Sequence, residues 1–233
     1  MTAASRRLQA KVGLAMPLLL TRTAAMWSEP TPALYRAWLA ALHGMVCATV
    51  PLVLDATTAC LARDDCLSRE LAAYLAHHVH DEYGHDQDVL DDYARAGGDV
   101  DELLLGTQLP EVAAVVGCQY YWIRHAHPVA LLGHIAVLEG HPPPAGLAPH
   151  LARRTGLPYD AFRTLTRHAT LDRAHREELW RAIDALPLTP AAEELIGLSA
   201  LTTIQGLAHL VDTVQSKERS WPPSTSWKPP VST

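Results

Sequence analysis

The chain has 233 residues, which is enough for one large domain with its own hydrophobic core. A net charge of −6 without any basic stripe argues against a nucleic-acid-binding function. Apolar residues make up 48% of the chain, and no apolar run approaches the roughly 18–20 residues that a membrane span needs. We therefore predict a cytoplasmic protein that binds neither nucleic acid nor membranes.

Apolar residues recur at spacings of three and four along most of the chain, so the sequence predicts an all-α fold. The predicted helices run from about Ser5 to Trp27, Pro32 to Ala62, Leu67 to Ala96, Pro110 to Glu139, Tyr159 to Leu186 and Pro190 to Lys217, with a short piece from Pro149 to Thr155. Pro17 and Pro51 are expected to bend the first two helices, and His127-Pro128 to split the fourth. We predict one helical domain over residues 1–219, and a flexible or loosely docked tail rich in Pro, Ser and Trp over residues 220–233.

Two features bear on the compartment in which the chain folds. Arg6 and Arg7 precede an apolar run and so imitate a signal peptide, but Pro17 interrupts that run and no small-residue cleavage site precedes Trp27. The four cysteines are Cys47, Cys60, Cys66 and Cys118. Their spacing fits neither a zinc site nor a redox pair, which predicts buried or half-buried thiols in a reducing cytoplasm.

The predicted third helix places a carboxylate and an imidazole together on its apolar face. Glu82 and His85 are three residues apart and are therefore neighbours on a helix surface. Asp81 is an alternative carboxylate that lies off the centre of this face. His78, one turn before Glu82, is either a further ligand or a group that orients one. Burying a charge without a partner costs free energy, so the presence of Glu82 and His85 on this face predicts that a partner for them lies beside it.

The predicted fifth helix carries the more specific pattern, H-x-x-x-D-x-x-H. His168, Asp172 and His175 occupy consecutive positions of its apolar stripe, so a helix aims all three in one direction. Glu139 follows the apolar stretch Pro128 to Leu138 and ends the same face of the fourth segment. These residues complete a set of possible metal ligands that is drawn from three helical segments.

The complete candidate set is Glu82, His85, Glu139, His168, Asp172 and His175. Three carboxylates and three imidazoles nearly balance the charge of two divalent cations, and oxygen and nitrogen donors without thiolates suit iron or manganese. Bundles hold paired metals with carboxylate and histidine motifs on facing helices. The competing interpretation is a metal-free network of buried His–carboxylate pairs, which would have to satisfy six ionisable groups.

These motifs, from residue 67 to residue 186, resemble those of the haem-oxygenase-like diiron oxidases and oxygenases, the iron-containing redox enzymes. The resemblance implies a single-domain haem-oxygenase-like bundle of about seven helices. It also implies a cofactor of two Fe ions, held by the six residues above, with Mn/Fe as an alternative metal pair. O2 would be the co-substrate, and a peroxo-diiron(III) intermediate would oxidise a small molecule.

The resemblance leaves the reaction open. Its members cleave C–C bonds, desaturate or N-oxygenate amino acids, amines or aliphatic acids in specialised-metabolite biosynthesis. Tyr120, Tyr121, Arg124 and His127 are candidates to line the substrate pocket. Two other functions stay open, a metal-independent thiaminase-like hydrolase with a Cys nucleophile and a non-enzymatic metal-binding helical protein. The oligomeric state also stays open, a homodimer included.

Overall fold

A computed structural model describes the backbone of residues 3–220 and the side chains of residues 3–169 and 175–216. All its regular elements in this range are helical, which confirms the predicted all-α class. The α-helices are α1 (Ala4–Met26), α2 (Pro32–Leu61), α3 (Cys66–Glu82), α4 (His85–Arg95), α5 (Val100–Leu105), α6 (Pro110–His125), α7 (Leu131–Leu138), α8 (Leu147–Thr155), α9 (Arg163–Ala185) and α10 (Pro190–Ser220). Two short 3-10 helices, Pro128–Ala130 and Tyr159–Phe162, precede α7 and α9. The predicted tail lies outside the described residues.

Side-chain caps explain where several helices begin. Thr31 accepts a hydrogen bond from the backbone N–H of Leu34 at the start of α2, over 3.0 Å. Asp65 caps α3 through the N–H of Ser68 over 2.7 Å, and Thr189 caps α10 through the N–H of Ala192 over 3.2 Å. Each cap satisfies one of the backbone donors that the first turn of a helix leaves without an internal partner.

The predicted third helix is in fact two helices. Tyr83 is extended and Gly84 is left-handed, with φ of 86°, so α3 ends at Glu82 and α4 begins at His85. Glycine adopts this backbone conformation without the steric penalty that a Cβ imposes. The continuous helix predicted from residue 67 to residue 96 is therefore wrong, and Glu82 and His85 belong to different helices.

One of the three prolines considered interrupts its helical segment. Pro17 and Pro51 lie inside α1 and α2, and neither ends its helix. The His127-Pro128 step does split the fourth segment, as predicted, because α6 ends at His125 and a 3-10 turn intervenes before α7. The split places α7 as a separate short helix with Glu139 at its end.

Helix α7 lies at the centre of the bundle. Its residues from Leu131 to Val137 are all buried, and it packs closely along α10. A Cβ placed on Gly133 would lie 2.1 Å from the carbonyl oxygen of Ile196 and 2.7 Å from the backbone nitrogen of Ala200. The two backbones thus approach to a distance that only glycine permits, and this contact fixes the position of α7 against α10.

Two helices reach the length and apolarity of a membrane span, although no apolar run of that length was expected from the sequence. Over an 18-residue window, mean hydropathy is 1.8 in α2 and 1.3 in α10 up to Ser216. Both helices pack against several others of the bundle, and they carry the buried polar residues His43, Ser199 and Thr203. Length and composition alone are weak grounds for a span, because core helices of large bundles pass the same test.

A buried polar network joins α6, α7 and α10. The Nδ1 atom of His134 lies 3.1 Å from the hydroxyl of Thr203, which accepts a hydrogen bond from the side-chain amide of Gln119 over 3.2 Å. Ser199 in turn donates to Gln119 over 3.0 Å. Burial lowers the pKa of His134 to about 4, so the folded protein holds this ring neutral.

The network predicts a loss of stability in mild acid. Between pH 6.5, the ordinary pKa of histidine, and about 4, the unfolded chain binds a proton that folded His134 does not. The free energy of unfolding should therefore fall as pH decreases, by up to about 1.4 kcal/mol per pH unit from this residue. We expect His134→Gln to reduce that slope in urea unfolding of the metal-free protein. If the free energy of unfolding falls with pH equally steeply in His134→Gln and in the original protein, His134 is excluded as the titrating group.

Candidate metal centre

Three polar side chains meet where the C-terminal ends of α3 and α7 come together. His78 and Glu82 lie one turn apart on α3, and Glu139 is the residue that ends α7. One ligand atom from each of the three lies within 4.8 Å of the other two. The Nε2 atom of His78 is 3.1 Å from Oε1 of Glu139. The break between α3 and α4 lies directly beside this group.

Two further imidazoles adjoin Glu82 on the side of α4 and α9. The Nδ1 atom of His85 is 3.4 Å from Oε2 of Glu82. The rings of His85 and His168 have centroids 5.1 Å apart. The Nδ1–H of His168 donates to the backbone carbonyl of Thr164 over 2.8 Å, which leaves the Nε2 lone pair of His168 available for a ligand.

Several polar atoms of these side chains are buried without a hydrogen-bond partner. They are Nε2 of His78, Nδ1 and Nε2 of His85, and Oε2 of Glu139. Nε2 of His78 and Nδ1 of His85 have only their ion-pair contacts with Glu139 and Glu82, and the other two atoms have no partner among the described residues. A buried polar atom without a partner costs about 1–3 kcal/mol, and such atoms are rare in folded proteins. Here they belong to one contiguous group of nitrogen and oxygen donors. That donor set fits a divalent metal such as iron or manganese.

The electrostatics of the group favour anionic carboxylates beside imidazoles. Burial alone would raise the pKa of Glu82, but His85, His78 and His168 reverse this and hold it below the ordinary value. Burial alone would lower the pKa of His78, but Glu139 and Glu82 raise it overall. Burial lowers the pKa of His168, so its neutral, ligating form is favoured. Glu82 thus lies within electrostatic reach of three imidazoles.

A carboxylate from α4 holds the first turn of α9, which carries His168. Asp92 is fully buried and accepts hydrogen bonds from the backbone N–H of Thr164 over 2.7 Å and of Arg163 over 3.2 Å. Helix α9 has no capping side chain of its own, so this cap comes from another helix. Asp92 therefore fixes the backbone at Thr164, whose carbonyl orients His168. Asp88 is half-exposed and pairs with Arg167.

The structure brings together four of the six predicted ligands, Glu82, His85, Glu139 and His168. The side chain of Asp172 lies outside the described residues. His175 is half-buried on α9, two turns beyond His168. His78 belongs to the central group, and its spacing of four residues before Glu82 was the signal in the sequence. Asp81, the alternative to Glu82, belongs instead to a separate group with His77 and Glu178.

A family model matches most of the chain. The model described as "Iron-containing redox enzyme" matches residues 34–205, which include most of α2, all of α3 to α9 and every candidate ligand. The chain belongs to this iron-containing redox enzyme family. A comparison with curated proteins gives no significant match.

Solved structures show which fold this chain adopts. A domain of unknown function with a haem oxygenase-like fold from Shewanella denitrificans superposes with a TM-score of 0.80 at 19% identity, over 92% of this chain and 93% of that one. A TenA homolog from Pseudomonas syringae pv. tomato superposes with a TM-score of 0.73 at 11% identity, over 91% and 92%. The haem-oxygenase-like fold expected from the motifs is thereby confirmed.

Two of the four thiols are more exposed than predicted, and three have pKa values that disfavour the thiolate. Cys47 and Cys66 are exposed, although the sequence predicted buried or half-buried thiols. Cys60 is buried and Cys118 is half-buried, as predicted. Burial raises the pKa of Cys47, Cys60 and Cys118, so these groups favour the thiol over the reactive thiolate. The Sγ atom of Cys47 lies 3.1 Å from Nε2 of His43. Burial lowers the pKa of His43, so this imidazole is a weaker base for removing the thiol proton.

The residues proposed to line a substrate pocket form other contacts. Arg124 pairs with Asp55 over 2.6 Å, and its side chain is 64% exposed. Tyr120 lies under the Arg124 guanidinium, and Tyr121 is exposed. His127 accepts from the N–H of Val129 at Nδ1 and lies 3.3 Å from the hydroxyl of Ser68 at Nε2, so it links the start of α3 to the turn before α7. Arg124 is therefore a surface ion-pair residue rather than an evident carboxylate clamp.

Proposed function

We propose that the protein is a non-haem diiron oxidase or oxygenase that uses O2 to oxidise a small organic molecule. One observation carries this proposal, namely the buried donor atoms of His78, His85 and Glu139 that converge without hydrogen-bond partners. Membership of the iron-containing redox enzyme family is consistent with it. A metal-free polar network would leave Nε2 of His85 and Oε2 of Glu139 without a partner among the described residues.

The proposed ligands are the six residues that the sequence singled out, Glu82, His85, Glu139, His168, Asp172 and His175, together with His78. His78 and Glu139 lie on one side of Glu82, and His85 with His168 on the other. Glu82 is therefore the residue that the two sets of donors share. Iron is the proposed metal, with a Mn/Fe pair as the alternative, because this donor set scarcely distinguishes them.

The residues of the chain bind, orient and shield the proposed cofactor. Two Fe(II) ions, when bound, would supply the electrons that reduce O2. His78 and His85 expose 4% and 2% of their side chains, so bulk water has little access to the group. Thr164 holds the proton of His168 on Nδ1, and Asp92 fixes the backbone around Thr164. This support keeps the ligating nitrogen in place before the metal arrives.

The substrate class follows from the family resemblance alone. We propose an amino acid, an amine or an aliphatic acid as the substrate, and a cytoplasmic enzyme of specialised-metabolite biosynthesis that works without nucleic-acid or membrane partners. A homodimer is compatible with this proposal. Consumption of O2 that depends on a candidate substrate would separate an oxidising enzyme from a metal-binding protein without activity.

Anaerobic titration with Fe(II) tests the proposed function. We expect the metal-free protein to bind about two Fe(II) per chain, because two sets of donors adjoin Glu82. Mixing the loaded protein with O2-saturated buffer should produce a transient visible absorption, and a true substrate should accelerate its decay. A stoichiometry near zero would instead favour the metal-free network.

A further inference from the structure

A second group of ligand-type side chains lies outside the buried centre. His77 and Asp81 are one turn apart on α3, and Glu178 reaches towards them from α9. One ligand atom from each lies within 4.8 Å of the other two, and Nε2 of His77 is 3.6 Å from Oε1 of Glu178. This outer triad is accessible to solvent, with 60% of the His77 side chain and 36% of the Glu178 side chain exposed.

The chemistry of the outer triad suits a divalent transition metal. One neutral imidazole and two carboxylates match the charge of a divalent cation and leave further positions for water. An exposed ion pair between His77 and Glu178 would by itself contribute little to stability. A contribution to the stability of the fold therefore does not account for the grouping of His77, Asp81 and Glu178.

The outer triad and the buried group share their two helices. His77 directly precedes His78, which is buried, and Asp81 directly precedes Glu82, which is half-buried. The outer triad and the buried group therefore occupy adjacent faces of α3. Glu178 lies on α9, the helix that also carries His168. The two groups thus lie side by side on the same pair of helices.

We propose that His77, Asp81 and Glu178 form an outer divalent-metal site that takes up iron or manganese from solvent and passes it to the buried centre. The site itself does not depend on the function proposed above, whereas its delivery role rests on that function. Because its ligands are half-exposed and water fills its remaining positions, the outer site binds metal more weakly than the buried group.

Mn(II) binding in a chain with a disabled buried centre tests the outer site. In a chain that carries both Glu139→Ala and His168→Ala, electron paramagnetic resonance of free Mn(II) should show about one weakly bound ion per chain. Adding Glu178→Gln or His77→Gln should weaken this binding roughly tenfold or more. Glu177→Gln is the matched control, because it removes the same charge from the neighbouring exposed position of α9 and should leave binding unchanged. Equal affinities in the Glu178→Gln and Glu177→Gln chains would overturn the site.

Rapid mixing with Fe(II) tests the delivery role in the otherwise unaltered protein. Glu178→Gln should slow filling of the buried centre several-fold and leave the final number of tightly bound ions unchanged, whereas Glu177→Gln should load at the original rate. Unchanged loading in Glu178→Gln would overturn delivery, and loss of a tightly bound ion would show that Glu178 is a ligand of the buried centre instead. Failure of the unaltered protein to bind iron in its buried centre would reject the diiron proposal, and the Mn(II) assay would still decide the outer site.

Discussion

Replacing Glu139 by alanine is expected to abolish the oxidation of substrate by O2 and to reduce iron binding from about two ions per chain to one or fewer. Glu139 ends α7, lies 3.1 Å from Nε2 of His78, and has a second carboxylate oxygen that lacks any hydrogen-bond partner. Its removal takes one charged ligand from a buried position, where water cannot replace it with the same geometry. His168→Ala should have the same effect from α9.

The helical content of the metal-free Glu139→Ala chain should remain that of the original protein. Removing a buried carboxylate also removes the penalty of burying it, so loss of metal does not depend on unfolding. Circular dichroism and metal analysis of the same sample test this. Glu70→Ala, an exposed position on α3, is the control and should bind iron normally. Two iron ions per chain and unimpaired oxidation in both Glu139→Ala and His168→Ala would disprove the ligand assignment.

Replacing Gly133 by alanine should destabilise the bundle far more than replacing Gly117, the exposed glycine of α6. The new Cβ would meet the backbone of α10 at Ile196 and Ala200, at 2.1 and 2.7 Å, and neither group can move independently of its helix. Separating α7 from α10 should lower the free energy of unfolding by about 3 kcal/mol. Urea unfolding of the metal-free protein measures this loss.

Gly117→Ala is the matched control for this substitution. Gly117 lies inside α6, and a Cβ there would have no atom within 4 Å. Alanine is the better helix former, so this variant should gain roughly 0.5–1 kcal/mol. Because α7 positions Glu139, Gly133→Ala should also weaken iron binding in the fraction that remains folded. Equal stabilities of the two variants would show that the α7–α10 contact is not as close as the structure indicates.

The sequence determined the helical class, most helix boundaries and most of the candidate centre. Its apolar period of three and four, the caps at Thr31, Asp65 and Thr189, and the His127-Pro128 break are local signals that act within one or two turns. The predicted residues Glu82, His85, Glu139 and His168 do come together. They could be recognised because a buried face with imidazoles and carboxylates is costly unless those groups find partners.

Only the tertiary structure decided how those residues are shared among helices. Gly84 ends α3, so Glu82 and His85 meet across a break rather than along one helix, and this break could not be read from an apolar period that continues through it. His78 joined the central group because α7 delivers Glu139 to it, and Asp92 caps α9 from α4. Arg124 fell outside because Asp55, 69 residues earlier in the chain, pairs with it. Periodicity reports the face of a helix, whereas the partner of that face depends on contacts between residues far apart in sequence.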